Sequence, residues 1–116
     1  MVPEVHRLRR SSDFTEVTRS GKRGRAGVVV VHVLRSHNPQ ASAPRVGFVV
    51  SKAVGSSVQR HAVARRLRHA VRDRVRTWPA GARVVIRALP GATQRTWSAL
   101  MVDIDTALDQ AGLPSS

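Results

Sequence analysis

The sequence predicts an α+β fold, a single-domain sandwich in which one antiparallel-type central sheet is covered by helices in the order α-β-β-α-β-α. Three observations predict it. The runs VVVVHVLR, RVGFVVS and ARVVIRAL are rich in β-branched residues and read as strands. The segments around them carry apolar residues at helical spacing. The 116 residues, with no long linker or repeat, suit one domain, which can bury roughly two-thirds of its unfolded surface.

Residues 1–10 carry Arg7, Arg9 and Arg10 around Leu8 and are expected to form an extended basic arm. Ser11, Ser12 and Asp13 are candidate N-caps, and Asp13 with Glu16 has capping-box spacing. A short helix is expected over 12–19, with Phe14 and Val17 on one side and Gly21 as its C′ glycine. Residues 22–25 form a basic connector, with room for an extra short strand near 23–27. The first long strand spans 28–35. Alternation puts Val29, Val31 and Val33 on one face and Val28, Val30, His32 and Leu34 on the other. Residues 36–44 have turn chemistry, so the strand at 45–51 is expected to pair antiparallel with the first as a hairpin. Gly47 within it marks a bulge or a close approach. A strand over 82–89 points Val84 and Ile86 inward. Thr93 is the expected N-cap of a last helix ending near Ala111, with Trp97, Leu100, Met101, Ile104 and Leu108 at core spacing. Residues 112–116 are expected to be a flexible tail.

The most informative stretch is 51–76, SKAVGSSVQRHAVARRLRHAVRDRVR. Seven arginines fall between Arg60 and Arg76 against one acid, Asp73. On a helix ending near Trp78, His61, Arg65, Arg68 and Arg72 form one stripe, with Val63, Leu67, Ala70, Val71, Val75 and Trp78 roughly opposite. A solvated face usually mixes both signs of charge. Like charges at i, i+4 repel, so this stripe points to a polyanionic partner.

Composition agrees. The formal net charge is +13, which suits nucleic acid or an anionic membrane surface. No apolar run approaches the ~20 residues of a membrane span, and no apolar segment of a secretory signal follows the basic N-terminus. The chain is therefore expected in the cytoplasm, with no membrane partner. Cysteine is absent, which excludes disulfides, thiolate chemistry and Cys-based zinc sites. The cations are almost all arginine, with only Lys22 and Lys52 as lysines, which suits bidentate phosphate contact as well as a codon bias. His61 and His69 lie two helical turns apart, too far to act as an adjacent acid–base pair, so no catalytic group and no metal ligand set is assigned to the protein.

Residues 45–72, RVGFVVSKAVGSSVQRHAVARRLRHAVR, resemble the signature of the bacterial ribonuclease P protein subunit: a strand RVG, then SKK-G-A-V-RNR-KR, then R. Arg7-Leu8, Asp13-Phe14, Val17 and Gly21-Lys22 resemble the N-terminal pattern RL-x4-DF-x2-V-x3-GK of that family. Val84-Val85-Ile86-Arg87-Ala88 with Pro90 resembles its later strand. The resemblance spans roughly residues 6–108. It implies a left-handed β-α-β crossover, an exception to a rule kept in about 98% of cases. It also implies a protein that binds ribonuclease P RNA, as a monomer in a 1:1 ribonucleoprotein, and contacts the 5′ leader of precursor tRNA between the first helix and the sheet. The hydrolysis itself would be done by the RNA with bound Mg²⁺.

Carried over residue by residue, the resemblance assigns RNA binding to Lys52, Gly55, Arg60, His61, Arg65, Arg68 and Arg72. The Arg-Asn-Arg core of the motif reads Arg60-His61-Ala62, and a later Lys is Ala64. Arg60 falls toward the apolar side of a continuous helical wheel, which calls for an irregular first turn. Leader binding is assigned to Phe14, Thr18, His32, Arg9 and Arg10, with Thr18 and His32 standing where the family has aromatics.

Each residue also has a plain structural reading. Phe14 and His32 suit the core as well as a ligand surface, and Gly55-Ser56-Ser57 suits an ordinary capped turn as well as a phosphate site. Trp78 and Trp97 are read as core. A small basic ribosomal-type protein or general RNA chaperone is the alternative function, and it would show no preference for a leader. A DNA-binding regulator fits less well, because its recognition helix would follow another helix, not a strand.

Overall fold

The computed structural model describes residues 2–38 and 40–113. Among them, helices α1 (Ser11–Ser20), α2 (Ser57–Val71) and α3 (Trp97–Gln110) pack on a sheet of β1 (Lys22–Ala26), β2 (Val29–Leu34), β3 (Arg45–Val50) and β4 (Arg83–Ala88). The strand allowed for near 23–27 is present as β1. The strands lie in the order β1-β2-β4-β3. β1 pairs antiparallel with β2, β2 antiparallel with β4, and β4 parallel with β3.

The sheet is thus mixed, and the expected hairpin between β2 and β3 is not formed. β4 lies between them. Val84, Val85 and Ile86 are fully buried, so β4 is covered on both faces, as central strands of α/β proteins are. Residues 35–44 are too many for a tight turn to impose pairing. Ser42 and Arg45 meet the start of β4 instead, where the Gly81 N–H donates to Ser42 O at 2.6 Å and the Arg45 N–H to Ala82 O at 2.9 Å. β3, α2 and β4 form the β-α-β crossover.

The sheet buries its two faces unequally. Val29, Val31, Val33, Val46, Val84 and Ile86 meet α2 (Val63, Leu67, Ala70, Val71) and α3 (Leu100, Ile104, Leu108) in the main core. The other face is covered only by α1 and the arm, through Leu8, Val17 and Val85 with half-buried Phe14, Leu34 and Val49. Both strand alternations and the apolar back of α2 are as the sequence reads.

Local differences have identifiable causes. The arm is docked rather than free: Val2 and Leu8 are buried, and the Leu8 N–H donates to Val46 O at 2.9 Å along the outer edge of β3. The expected Asp13–Glu16 capping box does not form. Helix α1 starts at Ser11 without a side-chain cap, and both carboxylates bind Arg83 of β4. Gly21 is extended (φ −77°), not left-handed. α2 ends at Val71, and Val75–Thr77 forms a 3₁₀ turn, because Pro79 forces residue 78 out of helical geometry. Thr96, not Thr93, caps α3, accepting from the Ala99 N–H at 3.2 Å. Trp78 is core as expected, but Trp97 is 47% exposed. The turn Ala92–Gln94 that precedes Trp97 is drawn onto α2, where Arg66 donates to the carbonyls of Ala92 and Arg95. Of the expected tail, Leu113 is buried in the core and residues 114–116 lie outside the described residues.

Candidate nucleic-acid interface

The site is built on the start of α2 and the edge of β3. Ser56 caps the helix in a reciprocal box: the Gln59 N–H donates to Ser56 Oγ at 3.2 Å, and the Ser56 N–H to Gln59 Oε1 at 2.8 Å. The Gly55 turn is therefore a capped turn that uses two of its own donors. Gly55 has φ +156°, and a Cβ there would press on the Gln59 side chain. Lys52 is exposed in the 3₁₀ turn Lys52–Val54 just before it.

From this cap the helix runs regularly, so Arg60 needs no irregular turn. It does lie toward the apolar side. The residue is half-buried, and its Nε is enclosed without a partner. Arg60, His61 and Arg68 line a groove with Phe48 and Val50 of β3. Arg65 and His61 are exposed on the outer face. Arg72 stands 3.7 Å from Asp73 in an exposed pair, which leaves it the weakest member of the stripe.

The groove does not stop at Arg68. Arg68 and Phe48 also line a second depression, with Arg7, Leu8, Arg9, Phe14 and Gly47. Phe14 and Arg9, assigned to leader binding, thus share one continuous surface with Arg60, His61 and Arg68. The Phe14 ring lies over Gly47, where a Cβ would come within 2.5 Å of Cε1. Phe14 is therefore both a core residue of the α1 face and part of the groove wall.

The other leader residues lie apart. Thr18 and His32 line a separate depression with Arg23, Arg25 and Arg87, and Arg10 lines a third, with Arg45 and Arg83. Thr18 turns its hydroxyl back to the Phe14 carbonyl at 2.9 Å. His32 is half-buried, with Nδ1 enclosed and unpartnered. Burial, then Arg87 and Arg23, hold its pKa below 6.5, so it is neutral at pH 7.

Arg23, Arg25 and Arg87 were missed as site residues. The period-2 spacing of RGR and RVVIR carries the signal. Only the pairing of Arg23 with His32, Arg25 with Val30 and Val30 with Arg87 puts them on one face.

The acids explain which cations are free to act. Glu4 pairs with Arg9, Asp13 and Glu16 with Arg83, Asp73 with Arg72, Asp103 with Arg95, and Asp105 with Arg74. Among the described residues, Arg60, Arg65, Arg68, Arg23, Arg25 and Arg87 have no carboxylate partner. No three His, Asp or Glu side chains converge among the described residues. Guanidinium groups of this kind suit phosphates, and apolar and aromatic faces suit bases.

Fold and surface together define a small basic α+β protein built to hold RNA. The ribonuclease P family model matches residues 2–112. The chain is 48% identical to the ribonuclease P protein component of Salinispora tropica, over 98% of this chain and 96% of that one. It is 50% identical to that of Streptomyces avermitilis, over 95% and 94%. Its fold matches the ribonuclease P protein of Staphylococcus aureus with a TM-score of 0.80 at 20% identity, over 95% of this chain and 98% of that chain. For the Thermotoga maritima protein the TM-score is 0.69 at 20% identity, over 85% and 91%. The chain belongs to the ribonuclease P protein family, whose members are the protein component of the endoribonuclease complex that processes the 5′ end of tRNA.

Proposed function

We propose that this protein binds ribonuclease P RNA through the outer face of α2 and the groove between α2 and β3. In the same reading it holds the 5′ leader of precursor tRNA where that groove meets Phe14 and Arg9, and on the basic sheet face around His32. It acts in the cytoplasm as one protein on one RNA. Magnesium is held mainly by the RNA and the substrate, and the RNA carries out the cleavage. The protein's part is to neutralise phosphates that would otherwise demand more ions, and to favour precursor over mature tRNA.

The observation that carries the proposal is the distribution of unpaired charge. Arg60, Arg65 and Arg68 stand without carboxylates along the helix that borders an aromatic groove, while Glu4 meets Arg9 and Asp73 meets Arg72 at its margins and Asp13, Glu16, Asp103 and Asp105 pair with Arg83, Arg95 and Arg74 away from it. The test is reconstitution at low Mg²⁺ with precursor tRNA. Release of the intact leader is expected only when protein and ribonuclease P RNA are combined. Leader release by the protein alone would overturn the division of labour.

A further inference from the structure

Trp97 is the large apolar side chain that the RNA-binding reading leaves unexplained. It is 47% exposed, against 6% for Trp78. The exposed Val5, Val58 and Val102 are ordinary surface scatter. An indole offers far more flat apolar area, and this one stands on a fixed frame. Thr96 caps the helix at its foot. Arg95 is locked by two 2.8 Å hydrogen bonds to the buried Asp103. Arg66 of α2 binds the carbonyls on either side of the preceding turn.

These contacts also place Trp97 relative to α2. Arg66 lies on the flank of α2 away from the Arg60–Arg68 groove, with Arg65 and His69 on the outer face between the two flanks. The outer face of α2 thus runs from the Phe48 groove on one side to the Trp97 turn on the other. Near that turn the carboxylate of Asp103 is buried beneath Arg95. An exposed aromatic plane at the margin of a helix face that carries unpaired arginine complements a polyanion that has flat faces of its own.

We infer that Trp97 is a stacking platform for an unpaired base of ribonuclease P RNA, at the far edge of a footprint centred on α2. This rests on the reading that α2 faces that RNA. Stacking neutralises no phosphate, so its signature differs from that of an arginine contact.

The test measures the affinity of the full chain for ribonuclease P RNA across a salt series, for the parent, Trp97→Ala, Trp97→Phe and Arg68→Ala. Trp97→Ala is expected to weaken binding roughly tenfold with the salt slope unchanged, because a base–aromatic stack contributes about that much. Trp97→Phe should recover most of the loss. Binding of the RNA should also quench the parent's tryptophan emission, and the quench should vanish in Trp97→Phe, where Trp78 remains. Full affinity in Trp97→Ala beside a weakened Arg68→Ala would overturn the platform while sparing the α2 reading. Full affinity in both would overturn the α2 reading itself. A parent dimer in sedimentation that Trp97→Ala converts to monomer would assign the indole to a second copy of the chain and also refute the inference.

Discussion

Gly47→Ala puts a single methyl group where α1 meets the sheet. The added Cβ would fall within 2.5 Å of Phe14 Cε1 and 3.2 Å of Leu8 Cβ. β3 cannot retreat, because it is paired with β4 on one side and tied through Val46 to Leu8 on the other. The Phe14 ring must therefore shift, and overpacking of this kind costs about 1–3 kcal/mol. For a domain of this size that corresponds to a fall in Tm of roughly 4–12 °C. Thermal and urea unfolding of the parent, Gly47→Ala, Phe14→Leu and the double variant form a cycle. The smaller side chain at 14 should absorb the methyl, so the double variant should be more stable than the sum of the single changes by at least about 0.5 kcal/mol. Additive changes, or a neutral Gly47→Ala, would refute the placement of Phe14 over β3.

Other predictions follow from the charges. Arg65→Ala and Arg68→Ala should each weaken binding to ribonuclease P RNA. Each should also lower the magnitude of the salt slope by about 0.7–0.9 for every phosphate that the arginine neutralises, read from filter binding across a salt series. Asp103 is buried, which raises its pKa, but Arg95 and the Val28 N–H outweigh burial and hold it below 3.8. A depressed carboxylate stabilises the fold above its unfolded pKa and loses that effect as pH falls through the folded value. Asp103→Ala should therefore cost about 1–3 kcal/mol at pH 7 and show a flatter stability profile below about pH 4 in urea titrations. His32 titrates in the opposite chemical sense, as a base held neutral. Its NMR midpoint in the free protein should lie below 6.5, and its contribution to stability should be complete above that pH and decline below it. A midpoint above 6.5 would contradict its enclosed position.

Much of this was legible in the sequence because the informative patterns are local. The apolar back of α2 and the alternation in β2 each depend on neighbours a few residues apart. What escaped depends on partners far along the chain. The place of β4 between β2 and β3 follows from burial on both faces, which period-2 reading of RVVIRA alone does not reveal. Asp13 and Glu16 have capping-box spacing, but Arg83, some 70 residues on, claims both. Trp97 has core spacing, yet it is 47% exposed at the first position of α3, after a turn that Arg66 ties to α2. In the site, the motif drew attention to Arg60, His61 and Arg68, which line one groove. It could not show that Phe14 joins them while Thr18 and His32 face another depression, because that split is made by the docking of α1 on the sheet.

The central claim is that location, not net charge, makes the interface, and a charge-reversal comparison tests it most directly. One variant carries Arg60→Glu and Arg68→Glu in the groove. The other carries Arg19→Glu and Arg35→Glu, with the same net charge, on exposed positions outside it. Affinity for ribonuclease P RNA is measured at one salt concentration, with folding checked by circular dichroism. The groove variant should lose at least tenfold more affinity than the control. Equal losses would mean that the RNA responds to overall charge alone, and would contradict the account.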